Sequence, residues 1–462
     1  MIKAFVGAGG KTTEIFKEAE YFRGIGKKVF VCTSTHMFIQ NDTLISDNKE
    51  EIINELNKKG YVFAGTKAED KKIGALSYDT YLRVCQKADV VLVEADGSKH
   101  KSLKFPNENE PVIYDNVDEI VVVAGLKALG KTAFEECHRY EKGSLKKDDI
   151  ISAQTVQLMK NMYFKKLKSK FPHKKISVFV TGADNMYKKA VASLLNDNMD
   201  VNLIDKEWFE NKPVLFVCGG GHISLEISKL AQFLDYKTVV MDPREEFANK
   251  ERFPLAENVI CDDFDNIEKY DVKNAFYIVV TRGHADDLKC VSRLLKIENS
   301  YLGMIGSKKK VKATFESLKE MGFSQEEISK IQAPIGIPIK AITPAEIAVS
   351  IMAQIIDIRN TVNPSSVSKE LLNTDEEGVL CIITKKEGSS PRGEGSMMFV
   401  TKDRIIDSIG GGIIEALAIK KARTVTKCVE EEYVLDNKTS ADTGMICGGY
   451  NKVLFIPINN RN

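Results

Sequence analysis

The sequence has almost no net charge, one tryptophan, six histidines and no closely paired cysteines. Its 66 basic and 65 acidic residues leave a formal charge of +1. That cancellation removes the electrostatic footprint of a nucleic-acid or membrane-surface binder, so neither partner is expected. Basic runs such as Lys165–Lys166 and Lys308–Lys310 read first as solvated faces. The nine cysteines include no C-x-x-C pair, and their number is odd. They point to reduced, mostly buried thiols in a cytoplasmic protein and away from a disulfide frame or a zinc site. No apolar run approaches the roughly 18 residues of a membrane span. Met1–Val6 lacks the apolar length of a signal peptide.

What is present is an α/β pattern. At about 150 residues per domain, 462 residues suggest three domains. In residues 1–205, apolar runs at Val29–Cys32, Val90–Val93, Ile120–Val123 and Ile176–Val180 alternate with helical stretches. This predicts a phosphate-loop-like domain on a parallel sheet. Residues 212–360 restart with a strand at Pro213–Cys218, followed by Thr238–Met241, Phe276–Val280 and Tyr301–Ile305. A Rossmann-like second domain is expected there, closed by a helix that Thr343-Pro344-Ala345-Glu346 caps. Ile347, Ile351, Ile355 and Ile358 form that helix's apolar face. Polar residues from Arg359 to Glu377 read as a linker. Residues 378–462 read as a small α+β C-terminal domain.

The strongest local signal is Gly7-Ala8-Gly9-Gly10-Lys11-Thr12-Thr13 between a strand and a helix. Gly10-Lys11-Thr12 matches the end of a phosphate loop, but Phe5 stands where the first glycine of the full pattern belongs. Glycines let backbone N–H groups point at phosphate, and the helix N-terminus adds its dipole. Lys11 would reach the terminal phosphates, and Thr12 would offer its hydroxyl to Mg²⁺. The run Val90–Val93 ends in Glu94-Ala95-Asp96, so Asp96, then Glu94, is the expected magnesium-orienting acid and catalytic carboxylate. Thr33-Ser34-Thr35-His36 offers a further contact to nucleotide or metal, against an ordinary structural histidine. Only Asp184 survives of a guanine-reading N-K-x-D, so ATP and GTP both stay open.

The elements Gly7–Thr13, Thr33–Met37, Val93–Ser98 and Gly125–Lys131 together resemble the YqeC family of accessory proteins for selenium-dependent molybdenum hydroxylases. The likeness covers roughly residues 1–200.

In the middle segment, Gly219-Gly220-Gly221-His222-Ile223-Ser224 gives G-x-G-x-x-S, a dinucleotide fingerprint lacking its third glycine. Asp242 ends the next strand, where a ribose-binding acid would sit. His284 and the Gly306-Ser307-Lys308 corner follow later strands, at the carboxyl ends where ligands bind in open α/β sheets. Residues 212–457 resemble the XdhC/CoxI family, which matures molybdenum cofactor for xanthine dehydrogenase-type enzymes. The likeness rests on Gly219–Ile223, His284-Ala285, Gly303–Ser307, Ala333–Gly336, Thr343–Ala348, Gly388–Arg392, Ile409–Gly412 with Glu415, and Cys447–Gly449. It implies that Gly219, Gly221, His222, Gly306, Ser307, Arg392, Gly411, Gly412 and Cys447 contact the cofactor, with Arg392 on its phosphate. Two features depart from that family: the small domain follows the Rossmann segment, and Ile413 stands where a cysteine is usual, leaving Cys447 as the remaining thiol.

The expected function is a molybdenum-cofactor maturation or insertion chaperone serving a molybdenum hydroxylase client. Its N-terminal domain would bind ATP or GTP with Mg²⁺, and NTP hydrolysis is left open. Two alternatives remain: an NAD(P)-dependent oxidoreductase using His284 as its acid, and a phosphate-loop kinase. A homodimer is left open as well.

Overall fold

The computed structural model describes residues 1–68, 71–209, 213–270, 272, 275–297, 299–362, 367–388, 392–435 and 449–459. The chain forms two compact units, Met1–Asp205 with Glu370–Asn462, and Lys206–Lys369.

The first unit is built on a nine-stranded sheet. Its order is Lys175–Thr181, Glu119–Gly125, Ile2–Gly7, Val90–Glu94, Val29–Thr33, Tyr61–Lys67, Lys72–Gly74 and His36–Phe38, with Thr43–Ile45 also on Tyr61–Lys67. The first six are mutually parallel. Strands of a parallel sheet are covered on both faces, which is why they read as continuous apolar runs. Phe5 and Phe63 pack on one face with Ile15 and Ala19 of the helix Lys11–Gly24. Phe30 and Val91 pack on the other with Ile52 and Leu56 of the helix Lys49–Lys59. Each fully buried phenylalanine contributes about 1.5–3 kcal/mol.

The same unit carries a five-stranded antiparallel sheet ordered Ile405–Asp407, Met397–Thr401, Gly378–Gly388, Gly449–Ile458 and Val429–Leu435. One helix, Gly412–Ala422, buries Ile414, Ala418 and Ala422 against Cys381, Ile383 and Phe455. This sheet docks on the helix Met186–Asn196 of the N-terminal part. Ser193 Oγ donates to the Pro457 carbonyl at 2.7 Å, and the Cys428 N–H donates to Asp197 Oδ2 at 2.6 Å.

The second unit holds a six-stranded parallel sheet. Its order is Asn258–Ile260, Thr238–Met241, Leu215–Cys218, Phe276–Val279, Tyr301–Met304 and Ile331–Gln332. In sequence order that is 3-2-1-4-5-6, the doubly wound Rossmann arrangement. The expected capping box closes the helix Pro344–Val362: Thr343 Oγ1 accepts from the Glu346 N–H at 3.3 Å, and Glu346 Oε2 accepts from the Thr343 N–H at 3.0 Å. Ile351 and Ile355 are fully buried. The linker expected from Arg359 begins later, since the helix runs on to Val362 and a short helix occupies Lys369–Asn373. Ile358 still packs on the core, and the first helix breaker in the sequence is Pro364.

Among the described residues, no helix is long and apolar enough to cross a membrane.

Candidate functional site

The N-terminal glycine loop connects the central strand Ile2–Gly7 to the helix Lys11–Gly24. Gly7, Gly9 and Gly10 have φ of 91°, 89° and 119°, the left-handed region that side chains avoid. A Cβ on Gly7 would land on the Val123 carbonyl oxygen, and one on Gly9 on the Ser102 carbonyl oxygen. Thr181 Oγ1 donates to the Gly9 carbonyl and ties the loop to a neighbouring strand. No side chain caps the helix at Gly10. Its first-turn N–H groups therefore face a cavity of about 620 Å³, lined by Gly9, Gly10, Lys11, Thr12, Thr13 and Glu94 among others. Backbone donors and a helix dipole in this arrangement can hold an anion.

The two acids expected at the end of Val90–Glu94 take different places. Asp96 is fully buried and is not part of the cavity wall. Its Oδ2 accepts from the Gly7 N–H at 3.0 Å and the Tyr163 hydroxyl at 3.1 Å, and it pairs with Lys104 Nζ at 3.1 Å. Its Oδ1 pairs with Lys11 Nζ, which also donates to the Gly7 carbonyl at 2.9 Å. Burial, then the Asp96 charge and hydrogen bond, push the Tyr163 hydroxyl far up, so Tyr163 acts as a donor to Asp96. Glu94 lines the cavity, and its Oε2 accepts from Thr12 Oγ1 at 2.9 Å. Burial raises its pKa, and Lys11 with Thr12 only partly offset that. A hydroxyl and a carboxylate side by side on the cavity wall form a donor set that suits magnesium. Asp184 is exposed and pairs with Lys188 at 2.9 Å, outside the cavity lining. Lys104 and Tyr163, unmarked by any motif, complete the buried cluster around Asp96.

In the Rossmann unit, Gly219 (φ 108°) and Gly221 lead into the helix His222–Phe233. Asp242 is buried beneath them. Its Oδ2 accepts from the Gly220 N–H at 2.8 Å, and Arg244 grips both oxygens at 2.9 Å. Burial works to raise the Asp242 pKa, but Arg244 and the two N–H donors outweigh it and hold the carboxyl below its ordinary range. Arg252 Nε donates to the Gly220 carbonyl at 2.9 Å, while its Nη2 is buried with no hydrogen-bond partner among the described residues. An orphaned cationic nitrogen beside a glycine loop fits an anionic ligand group. Neither arginine stood out in the sequence; Arg244, two residues after Asp242, was the findable one.

His284 Nδ1 lies 3.0 Å from Thr314 Oγ1 on the helix Lys308–Glu320. Ser307 caps that helix, which begins just after Gly306, and Lys310 pairs with buried Asp287. The helix that Ser307 caps thus packs against the helix His284–Leu294, with His284 meeting it at Thr314, about two turns beyond Ser307.

In the small domain, Arg392 Nη1 donates to the Ser408 carbonyl at 2.6 Å. Glu415 Oε2 accepts from Ser408 Oγ and from the Ile409 and Gly411 N–H groups, each N–H at 3.0 Å. Burial raises the Glu415 pKa, but these donors hold it below the ordinary range. The glycine turn including Gly411 and Gly412 is therefore wrapped around an internal carboxylate. Cys447 lies outside the described residues.

Loop, cavity and sheet order define an α/β domain with a glycine loop at a helix N-terminus, joined in one chain to a Rossmann domain and a small α+β domain. Residues 3–141 match the family model described as YqeC protein, residues 215–355 the XdhC Rossmann domain, and residues 371–434 the XdhC and CoxI family. One polypeptide thus carries a region that matches the YqeC model and two that match XdhC-type models. It is 31% identical over 145 residues to the uncharacterized protein YqeC of Escherichia coli K12, covering 30% of this chain and 57% of that protein. It is 29% identical over 151 residues to the uncharacterized protein YqeB of the same strain, covering 32% and 28%. It is 26% identical over 155 residues to a probable xanthine dehydrogenase subunit from Bacillus subtilis 168, covering 33% and 45%. A solved xanthine dehydrogenase structure from Bacillus halodurans is 28% identical, with a TM-score of 0.30, covering 35% of this chain and 46% of that one. The chain thus spans between about a quarter and 57% of the length of these curated relatives.

Proposed function

We propose that this chain handles molybdenum cofactor for a molybdenum hydroxylase of the xanthine dehydrogenase type, and couples that handling to a nucleotide bound at the N-terminal loop. The observation that carries this reading is the union of one YqeC match and two XdhC-type matches in a single polypeptide. The XdhC/CoxI likeness supports a maturation or insertion role, and the YqeC likeness supports a selenium-dependent client. The orphaned Arg252 Nη2 beside Gly220 supports a phosphate-bearing ligand at the Rossmann loop. There Gly219, Gly221 and His222 would supply the helix N-terminus, and Arg252 the cation. Bound cofactor would bring the molybdenum and its pterin; the chain's own residues hold the phosphate and set the orientation. In the N-terminal domain, Thr12 and Glu94 would hold Mg²⁺, while Lys11 exchanges Asp96 for the nucleotide's terminal phosphates.

One observation favours a second reading. Arg244 beside Asp242 is suited to a ribose 2′-phosphate, which would make the Rossmann unit an NADP-dependent oxidoreductase with His284 as acid. A calorimetric screen of the full chain against molybdenum cofactor, Mg-ATP, Mg-GTP and NADPH separates the two. Cofactor binding without NADPH binding supports the chaperone, and NADPH binding with hydride transfer replaces it.

A further inference from the structure

A second and larger cleft, of about 1300 Å³, adjoins the nucleotide cavity. The two share a wall made of Thr12, Glu94, Ser98 and His100. These include the hydroxyl and carboxylate assigned above to magnesium, so a ligand in the larger cleft would lie beside the nucleotide's terminal phosphate.

The cleft is basic. Lys67, Lys72 and Lys99 line it, and none has an ion-pair partner among the described residues. Its two described carboxylates are engaged: Glu110 with Lys104 and Arg139, both at 2.7 Å, and Glu94 with Thr12. Among the described residues, cations without an ion-pair partner facing engaged acids give the concave surface a positive potential, which concentrates anions. Lys72 also lies 5.0 Å from the exposed Phe38 ring, and that ring contacts His100 at 5.2 Å between centroids. Cation and aromatic face together suit an anion carried on a ring.

Two further features point to this wall. Lys99 and His100 are consecutive non-glycine residues at φ 51° and 61°. Such backbone costs roughly 1–3 kcal/mol per residue and tends to collect where ligands are positioned. Thr35 Oγ1, on the cleft's lining, is buried with no hydrogen-bond partner among the described residues. An unsatisfied hydroxyl there is a donor waiting for an acceptor.

We propose that this cleft is the second-substrate site of the N-terminal domain, taking a small phosphomonoester beside the nucleotide. The site rests on the nucleotide reading of Gly7–Thr13. Lys72 and Lys99 grip the phosphate, the Phe38 and His100 rings carry the organic part, and Thr35 Oγ1 supplies a hydrogen bond. The N-terminal domain then acts on a phosphorylated small molecule in addition to binding nucleotide.

The test is calorimetry on the full chain with the magnesium complex of a non-hydrolysable ATP analogue saturating the loop. Phenyl phosphate is then titrated, with phenol as the uncharged control. The proposal expects phenyl phosphate to bind and phenol not to. Lys72→Ala and Lys99→Asn should each weaken phenyl phosphate by roughly tenfold. Analogue affinity should stay within about threefold, which also reports folding. Equal binding of phenol, no phenyl phosphate binding by the loaded protein, or undiminished binding by both variants overturns the second site while leaving the nucleotide site standing. Failure of the analogue itself to bind overturns the nucleotide reading, and the second site with it.

Discussion

Replacing Asp96 by asparagine should destabilise the N-terminal domain before any ligand is added. The carboxylate is fully buried, and so is the Lys104 side chain, while that of Lys11 is 2% exposed. Both lysines lean on this one group, and Glu110 compensates Lys104 only in part because Arg139 shares it. Removing one member of a buried ionic cluster costs about 3–5 kcal/mol. Asparagine keeps an acceptor for the Gly7 N–H, so the loss comes from charge and not from the loop's hydrogen bond. For a domain of this size that corresponds to roughly 10 °C in Tm. Scanning calorimetry of the nucleotide-free chain would read the shift. Asp184→Asn, at an exposed pair, is the control and should lie within about 0.5 kcal/mol of wild type. A loss below about 1 kcal/mol for Asp96→Asn, together with abolished magnesium-nucleotide binding, would refute the buried cluster and restore Asp96 as a direct metal ligand.

Other consequences follow from the same geometry. Glu94→Gln should weaken Mg-ATP or Mg-GTP by roughly tenfold or more and change magnesium-free nucleotide binding little, as equilibrium titrations at varied magnesium would show. Asp242 and Glu415 have folded pKa values below their ordinary range. The stability they add is therefore complete above the unfolded carboxylate range near pH 4 and falls as pH drops through the lowered values. Urea unfolding between about pH 7 and 3 should show that loss, and Glu415→Gln should flatten it for the small domain. Among the described cysteines Cys261 is the exposed one, whereas burial pushes the Cys32, Cys290 and Cys381 thiols up. Mass spectrometry after brief thiol alkylation should find Cys261 modified well ahead of those three.

Much of the fold is written locally. Val29–Thr33, Val90–Glu94 and Thr238–Met241 stand out because strands covered on both faces need unbroken apolar runs. The strand Tyr61–Lys67 does not stand out in the sequence, since Ala64-Gly65-Thr66 dilutes its apolar signal although it is buried from Tyr61 to Gly65. The docking of the small domain on Met186–Asn196 was not legible either, because Ser193 and Pro457 meet across 264 residues of sequence. At the site, the glycine loop declared itself through residues that must be glycine. The ranking of Asp96 over Glu94 rested on position at a strand end. It could not register Lys104 or Tyr163, which reach Asp96 from other elements and take up the valences a metal would need.

The most direct measurement is reconstitution. A cofactor-free molybdenum hydroxylase of the xanthine dehydrogenase type would be mixed with this full chain, purified and loaded with molybdenum cofactor, with and without Mg-ATP or Mg-GTP. The account predicts that the hydroxylase gains activity faster than from free cofactor, and that the gain depends on nucleotide and on Lys11. A chain that binds no cofactor, or one that leaves the rate of activation unchanged, would contradict it.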